Sequence, residues 1–251
     1  MTDCLTHDRI KGLHRFHRAI PVVLAFGLSL GPMNTSAEAQ TAEIPNECSA
    51  YLTVQTRSCR VLHFMTCTDL SSGQYRVDRY DAEGIGSAAL YDRQMNALVV
   101  ILPREGAILR QDPASPDPLS MDELIETGKD TYDATRMINE SVPLRLKGFD
   151  LLTEESVVID GRTLKVTEFN LRETGPNGEV YGHTAGRQYL DTSLRYIFGG
   201  IYRDQTDAGA PDQDTTPVDF IYPGDDGFLA TEPRFDCAQS LASLTPEEAL
   251  R

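Results

Sequence analysis

Catalytic vocabulary is what this sequence has least of. It contains no GxSxG elbow, no HExxH, no P-loop and no GxGxxG. The spacings by which serine hydrolases, zinc proteases and nucleotide enzymes assemble their sites are therefore missing. Histidine is scarce: there are five in 251 residues. His7, His14 and His17 lie near the N-terminus, which leaves His63 and His183 in the rest of the chain. Cysteine is also scarce, at five, and no two form a CxxC pair. The spacings match no zinc pattern, so no metal and no cofactor are expected. Long apolar runs are absent too. The stretch Ala19–Leu30 is about 12 residues, short of the ~20 a bilayer-spanning helix needs.

What surrounds that run gives it a meaning. Arg9, Lys11, Arg15 and Arg18 precede it, Gly31-Pro32 closes it, and Ala37-Glu38-Ala39 places small residues at both recognition positions. That order is a secretory signal over residues 1–39, cut before Gln40. There is no twin-Arg pair, and the surroundings of Cys48 do not suit lipid attachment, so the expectation is an exported, soluble mature protein with no transmembrane span. The bacterial periplasm is the expected compartment. Cleavage removes four basic and three acidic residues, which moves the net charge from −15 to −16. Such a surface repels phosphate backbones and anionic headgroups, so nucleic acid is not an expected partner.

Cleavage also removes Cys4 and leaves an even set: Cys48, Cys59, Cys67 and Cys237. In an exported chain these read as two disulfides, with three possible connectivities. Local structure narrows the choice. If Cys59–Cys67 is one extended strand, its ends stand ~26 Å apart, beyond the reach of a disulfide. Folding Tyr51–Thr56 back on Cys59–Thr66 about Arg57-Ser58 puts Cys48 opposite Cys67. The expected pairs are Cys48–Cys67 and Cys59–Cys237.

The mature chain reads as one β-rich domain over residues 40–240, with a tail over 241–251. Short β-branched and aromatic segments run from Gln74–Asp81 through Ser87–Asp92, Ala97–Leu102 and Ala107–Gln111, divided by turns such as Ser71-Ser72-Gly73. Ala97–Leu102 is apolar on both faces, as in a strand covered on each side. A Pro- and Asp-rich linker over 111–119 leads to a helix expected from Met121 to about Asn139. Ser120 and Glu123 form its capping box, and Met121, Leu124, Ile125, Tyr132, Met137 and Ile138 form a broken stripe. Strands return at Leu144–Leu152, Ser156–Ile159, Thr163–Arg172, Glu179–Asp191, Leu194–Arg203 and Val218–Tyr222, with Asp160-Gly161 and Pro176-Asn177-Gly178 as turns. Within Thr163–Arg172 the apolar parity switches from Leu164 and Val166 to Phe169 and Leu171. A bulge near Thr167-Glu168 is the expected cause. The fold class is mainly β: a curled antiparallel sheet or half-barrel with one helix packed across it.

The few residues with chemical potential have ordinary alternatives. His63 shares a strand face with Val61 and Met65 and reads as packed. His183 lies between Gly182 and Gly186, where a ligand or a bend fits. The densest aromatic block, residues 186–202, carries Tyr189, Tyr196, Phe198 and Tyr202; these and His183 are the candidate ligand-binding residues. Asp204, Asp207, Asp212, Asp214 and Asp219 crowd one loop but lack the Gly and closing Glu of a calcium hand. Among so many acids, no carboxylate pair such as Glu154-Glu155, Glu168 or Asp191 stands out as a catalytic acid and base.

The order of elements, with Thr163–Arg172 followed by Tyr189-Leu-Asp-Thr-Ser-Leu194, resembles the periplasmic lipoprotein carriers, which are curved sheets with a helical lid. The resemblance is one of pattern over most of the mature chain and carries over no functional residue. It implies a non-catalytic envelope protein whose concave sheet takes an apolar or lipid-like ligand. A solid-core interaction or assembly module is the alternative. A carboxylate-dependent hydrolase is a third reading, and requires two carboxyls at one cleft.

Overall fold

The structure, a computed structural model, describes residues 40–237. The signal over 1–39 and the tail over 241–251 lie outside the described residues. The elements are β1 (Cys48–Thr56), β2 (Arg60–Cys67), β3 (Tyr75–Asp81), β4 (Gly84–Tyr91), β5 (Ala97–Leu102), β6 (Ala107–Gln111), α1 (Met121–Thr127), β7 (Lys129–Ile138), β8 (Val142–Ile159), β9 (Arg162–Thr174), β10 (Val180–Asp191), β11 (Tyr196–Phe198), β12 (Ile201–Asp204), β13 (Gln213–Asp214) and β14 (Pro217–Ile221). All the strands belong to one antiparallel sheet, ordered β13-β12-β10-β9-β8-β7-β6-β5-β4-β3-β2-β1-β14, with β11 also on β10. No described helix is long and apolar enough to cross a membrane.

The connectivity dictates the curl. β13 and β14 lie at opposite edges of the sheet, yet only Thr215 and Thr216 separate them. Three Cα steps span at most about 11 Å, so the two edges must approach each other. Thr215 donates its N–H to Gly200 O on one side, and Thr216 O accepts the Arg57 N–H on the other, each at 2.9 Å. The sheet is thus curled with its edges adjacent, but it is not closed into a barrel.

The first hairpin reaches the expected cysteine pairing by a different route. Thr56 faces Arg60, so the tip holds three residues, Arg57 to Cys59, rather than two. Ser58 and Cys59 both take positive φ there, 59° and 55°. One extra residue, Tyr51, then shifts the register back, and Cys48 faces Cys67. The disulfides are Cys48–Cys67 and Cys59–Cys237.

Four local expectations are corrected. The helix ends at Thr127, because Gly128 adopts the left-handed conformation (φ 83°) and its N–H caps Leu124 O. Tyr132, Met137 and Ile138 belong to β7, where Tyr132 and Thr131 favour strand and tertiary pairing with β8 decides. The expected capping hydrogen bond, Glu123 N–H to Ser120 Oγ, is present at 3.1 Å. Second, β5 is not covered on both sides: Ile101 is 43% exposed. Third, the irregularity near Thr167 lies across the ladder. β9 runs in unbroken register against β10 there, while β8 carries the extra residues between Leu152 and Ser156. Adjacent Val166 and Thr167 are both wholly buried, so at this point β9 is covered on both faces. Fourth, the strand expected over Leu194–Arg203 is interrupted at Gly199-Gly200.

The main core gathers Leu52, Val54, Leu62, Phe64, Val77 and Phe220 with an aromatic set in edge contact. A smaller cluster joins Met121 and Leu124 of α1 to Leu190 and Ile197. The other face of β1 and β2 is covered by the C-terminal segment. Leu229 N–H donates to Thr53 Oγ1, and Gln55 bonds Arg234 N–H and Glu232 O.

Candidate functional site

The aromatic residues singled out from the sequence divide among several places. Tyr196 and Phe198 are core: their rings meet Phe64 at 4.8 and 5.9 Å, and they are 4% and 1% exposed. Tyr189 packs half-buried against the same core. His183 is half-buried on β10, with Nε2 at 3.1 Å from Asn170 Oδ1. Tyr202 sits 6.3 Å from Phe169, ring to ring. None of the five lines the cavity described next.

That cavity, about 170 Å³, is built by register. Along β7, Asp130, Tyr132, Ala134 and Arg136 alternate on one face. Across the ladder they face Asp150, Gly148, Leu146 and Leu144. Phe169 lies opposite Asp150 on the next strand, and Leu171 opposite Gly148. A Cβ on residue 148 would meet Asn170 O at 2.0 Å and Tyr132 Oη at 2.8 Å. Glycine there lets the Tyr132 ring lie across β8. Ile197, Met95 and Leu119 complete the apolar walls, while Gln188, Asn96, Gln111 and Arg136 add polar groups. Gln111 and Asn96 hold each other at 3.2 Å.

The chemical feature of the site is the acid pair. Asp130 and Asp150 are direct cross-strand partners, and both are buried. Directly opposed residues carry their Cβ atoms about 5 Å apart. Asp130 Oδ2 accepts the Ser120 N–H at 3.0 Å, but Oδ1 has no partner. Burial pushes the Asp130 carboxyl up to about 6. Burial, then the Asp130 charge, pushes Asp150 up to about 7. The two groups titrate as a pair, so near neutrality they hold roughly one proton between them. Only Asp150 lines the cavity. Its carboxyl there is both a donor and an acceptor as its proton comes and goes. Burial likewise raises the Tyr132 hydroxyl.

Neither acid was flagged by sequence. Asp130 lies inside the stretch whose apolar spacing mimics a helix. Asp150 carried a usable signal: it occupies the inward parity of Leu144, Leu146, Gly148 and Leu152, where a charged residue is out of place. His63 is buried, with Nδ1 3.0 Å from Thr53 Oγ1 and Nε2 unpartnered, and burial pushes it down to about 4. The acidic loop is partly paired, through Arg203 of β12 to Asp212 and Arg57 of the β1–β2 tip to Asp214. Among the described residues, no three His, Cys, Asp or Glu side chains gather as a metal site. Compared with known families, curated proteins and solved structures, the chain matches none.

Proposed function

We propose that this chain is an exported, non-catalytic binding protein of the bacterial periplasm, and that it takes a small, partly apolar molecule against the β7–β10 part of its sheet. The observation that supports the reading is the cavity with Asp150 in its wall. It is apolar for the most part, with a few polar groups aimed inward, which is how small-molecule sites are built. Its size refines the ligand. An apolar cavity of ~150 Å³ holds benzene, so about 170 Å³ suits a ring-sized apolar body rather than a long acyl chain. Asp150 suits a ligand group that both donates and accepts. The two disulfides fit an oxidising compartment.

The arrangement of the acids favours binding over hydrolysis. Two-carboxylate hydrolysis needs both groups at the substrate, whereas Asp130 is turned to the Ser120 N–H. A solid-core assembly module is a second reading, favoured by the packed Tyr196 and Phe198. NMR titration of the protein with benzyl alcohol, benzylamine and lauric acid separates these readings. The proposal expects saturable shifts with a ring-sized probe at Leu146 and Phe169, abolished by Ala134→Phe. Lauric acid should bind more weakly. Shifts unchanged in Ala134→Phe, or no response to any probe, would overturn it, and the second outcome favours the assembly module.

A further inference from the structure

Two like charges on the core side of the sheet have no carboxylate within 4.0 Å among the described residues. Arg60 opens β2 and Arg79 lies late in β3. In their ladder Leu62 faces Arg79 and Val61 faces Tyr80. Arg60 is two residues before Leu62, on the same face, so it is the diagonal neighbour of Arg79. Long side chains at diagonal positions reach each other. That face is the one carrying Leu62 and Phe64 into the core, and both arginines are half-buried. Each has a tyrosine hydroxyl for company: Tyr202 beside Arg60, and Tyr196 beside Arg79.

Ten arginines among the described residues have a carboxylate within 4.0 Å, and these two are not among them. The acid that acts on Arg60, Asp81, is already engaged. Arg104 grips both of its oxygens, and the Glu83 N–H donates to it at 2.9 Å. Burial, then the charge of Arg79, holds Arg60 below the usual arginine range. In a chain with net charge −15, carboxylates are abundant. Burial and the charge of Arg79 disfavour Arg60 in the empty protein, whereas at Arg79 burial is outweighed by the surrounding tyrosines, Tyr196 and Tyr91 first, which hold its own charge above the ordinary arginine range.

We propose that Arg60 and Arg79, with the Tyr202 hydroxyl, form a binding site for a phosphate-like oxyanion. Guanidinium forks match the oxygens of such a group in pairs, and a hydroxyl supplies a further donor. The group is either free phosphate or the phosphate of a small ester. This site does not depend on the cavity reading, since neither arginine lines the cavity.

The test is calorimetric titration and thermal denaturation of the full protein at pH 7.5, with sodium phosphate against sodium chloride at matched ionic strength. Phosphate stabilises many proteins by exclusion from their surfaces, so the readout is the difference between the native protein and its variants. At ten times Kd the native midpoint should rise by about 3–6 °C. Arg60→Gln and Arg79→Gln should each lose at least about tenfold in affinity, the scale of one charge-assisted hydrogen bond. The phosphate-free midpoint of Arg60→Gln should equal or exceed the native one, because a repulsion is removed. Tyr202→Phe should weaken binding without abolishing it, and carries the test alongside Arg60→Gln if Arg79→Gln does not fold. Glycerol phosphate binding more tightly than phosphate identifies an ester; the reverse identifies the free ion. A phosphate response retained in full by Arg60→Gln, or no saturable response in the native protein, overturns the proposal.

Discussion

Thr53, Gln55 and His63 in the β1–β3 region, and Asp130 and Asp150 in the β7–β8 region, are all buried polar side chains, yet their surroundings differ in kind. Gln55 is bonded at both ends of its amide, and Thr53 accepts a backbone N–H and contacts His63. Of these three residues only His63 leaves an atom over, Nε2; elsewhere in the region Tyr75 Oη is also unpartnered, and Arg60 and Arg79 lack a carboxylate within 4.0 Å among the described residues. The aspartates instead face one another, with one oxygen of Asp130 unpartnered and Asp150 opening onto a cavity. A satisfied network fixes a single core arrangement, whereas a half-satisfied one lowers stability. The first region is also pinned by both disulfides and covered on two faces. The second has neither pin. Folds tolerate such local conflict where a site requires it, which points to the acids and not to the histidine.

If the two regions do differ in this way, they should respond unequally to removal of their supports. The largest effect is expected from Cys59→Ser with Cys237→Ser. The bridge closes a separation of 178 residues against 19 for Cys48–Cys67. Chain entropy then assigns it about 5 kcal/mol, some ~2 kcal/mol more than its partner. Urea denaturation of the two double variants measures the gap, and an equal loss would break the account. Phe64→Ala comes next. Its ring is buried among three aromatic neighbours, Tyr51, Tyr196 and Phe198, so the loss should be about 4 kcal/mol. Leu146→Ala, beside space that already exists, should cost only about 2 kcal/mol.

Much of the first region was legible in the sequence, and much of the second was not. The cysteine pairs follow from a hairpin that needs only strand length and a turn. Even there, the three-residue tip and the extra residue at Tyr51 are two departures that cancel. The stretch after Gly128 carries a misleading period, because Met121, Leu124 and Ile125 are truly helical and Tyr132, Met137 and Ile138 happen to extend their stripe. Only pairing with β8 turns that stretch into a strand, and pairing is not local. The acid pair depends on it twice, once for the strand and once for the register that sets Asp130 against Asp150. Tyr189, Tyr196 and Phe198 were visible as an aromatic block, but composition does not tell a core from a lining.

A pH comparison sharpens the contrast further. Asp150 in the folded protein sits near 7, above the ~3.9 of an unfolded chain. Between those values the native protein holds a proton that the unfolded chain releases, so this region loses stability as pH rises from about 4 to about 7. Asp150→Asn removes that slope. It should stabilise by up to about 4 kcal/mol at pH 8 and by almost nothing at pH 4. A gain of equal size at both pH values would mean that packing, and not ionisation, is responsible.

His63 runs the other way. Its folded value near 4 lies below the ~6.5 of a free histidine. The unfolded chain takes up a proton that the native protein refuses, so the first region loses stability as pH falls from about 6.5 to about 4. In the native protein the His63 slope opposes those of Asp130 and Asp150 and reduces the gain on acidification between pH 7 and 4. His63→Gln leaves Thr53 a partner but has no charge to exclude. Its cost at pH 7 should therefore shrink by up to about 2.5 kcal/mol by pH 4.5. In that variant nothing opposes the slopes of Asp130 and Asp150, and stability should rise more steeply on acidification from pH 7 to pH 5 than in the native protein. An acid limb unchanged from the native one would show that the buried imidazole takes its proton as readily as an exposed one. The distinction between a satisfied and a strained half of the sheet would then fail on its polar residues.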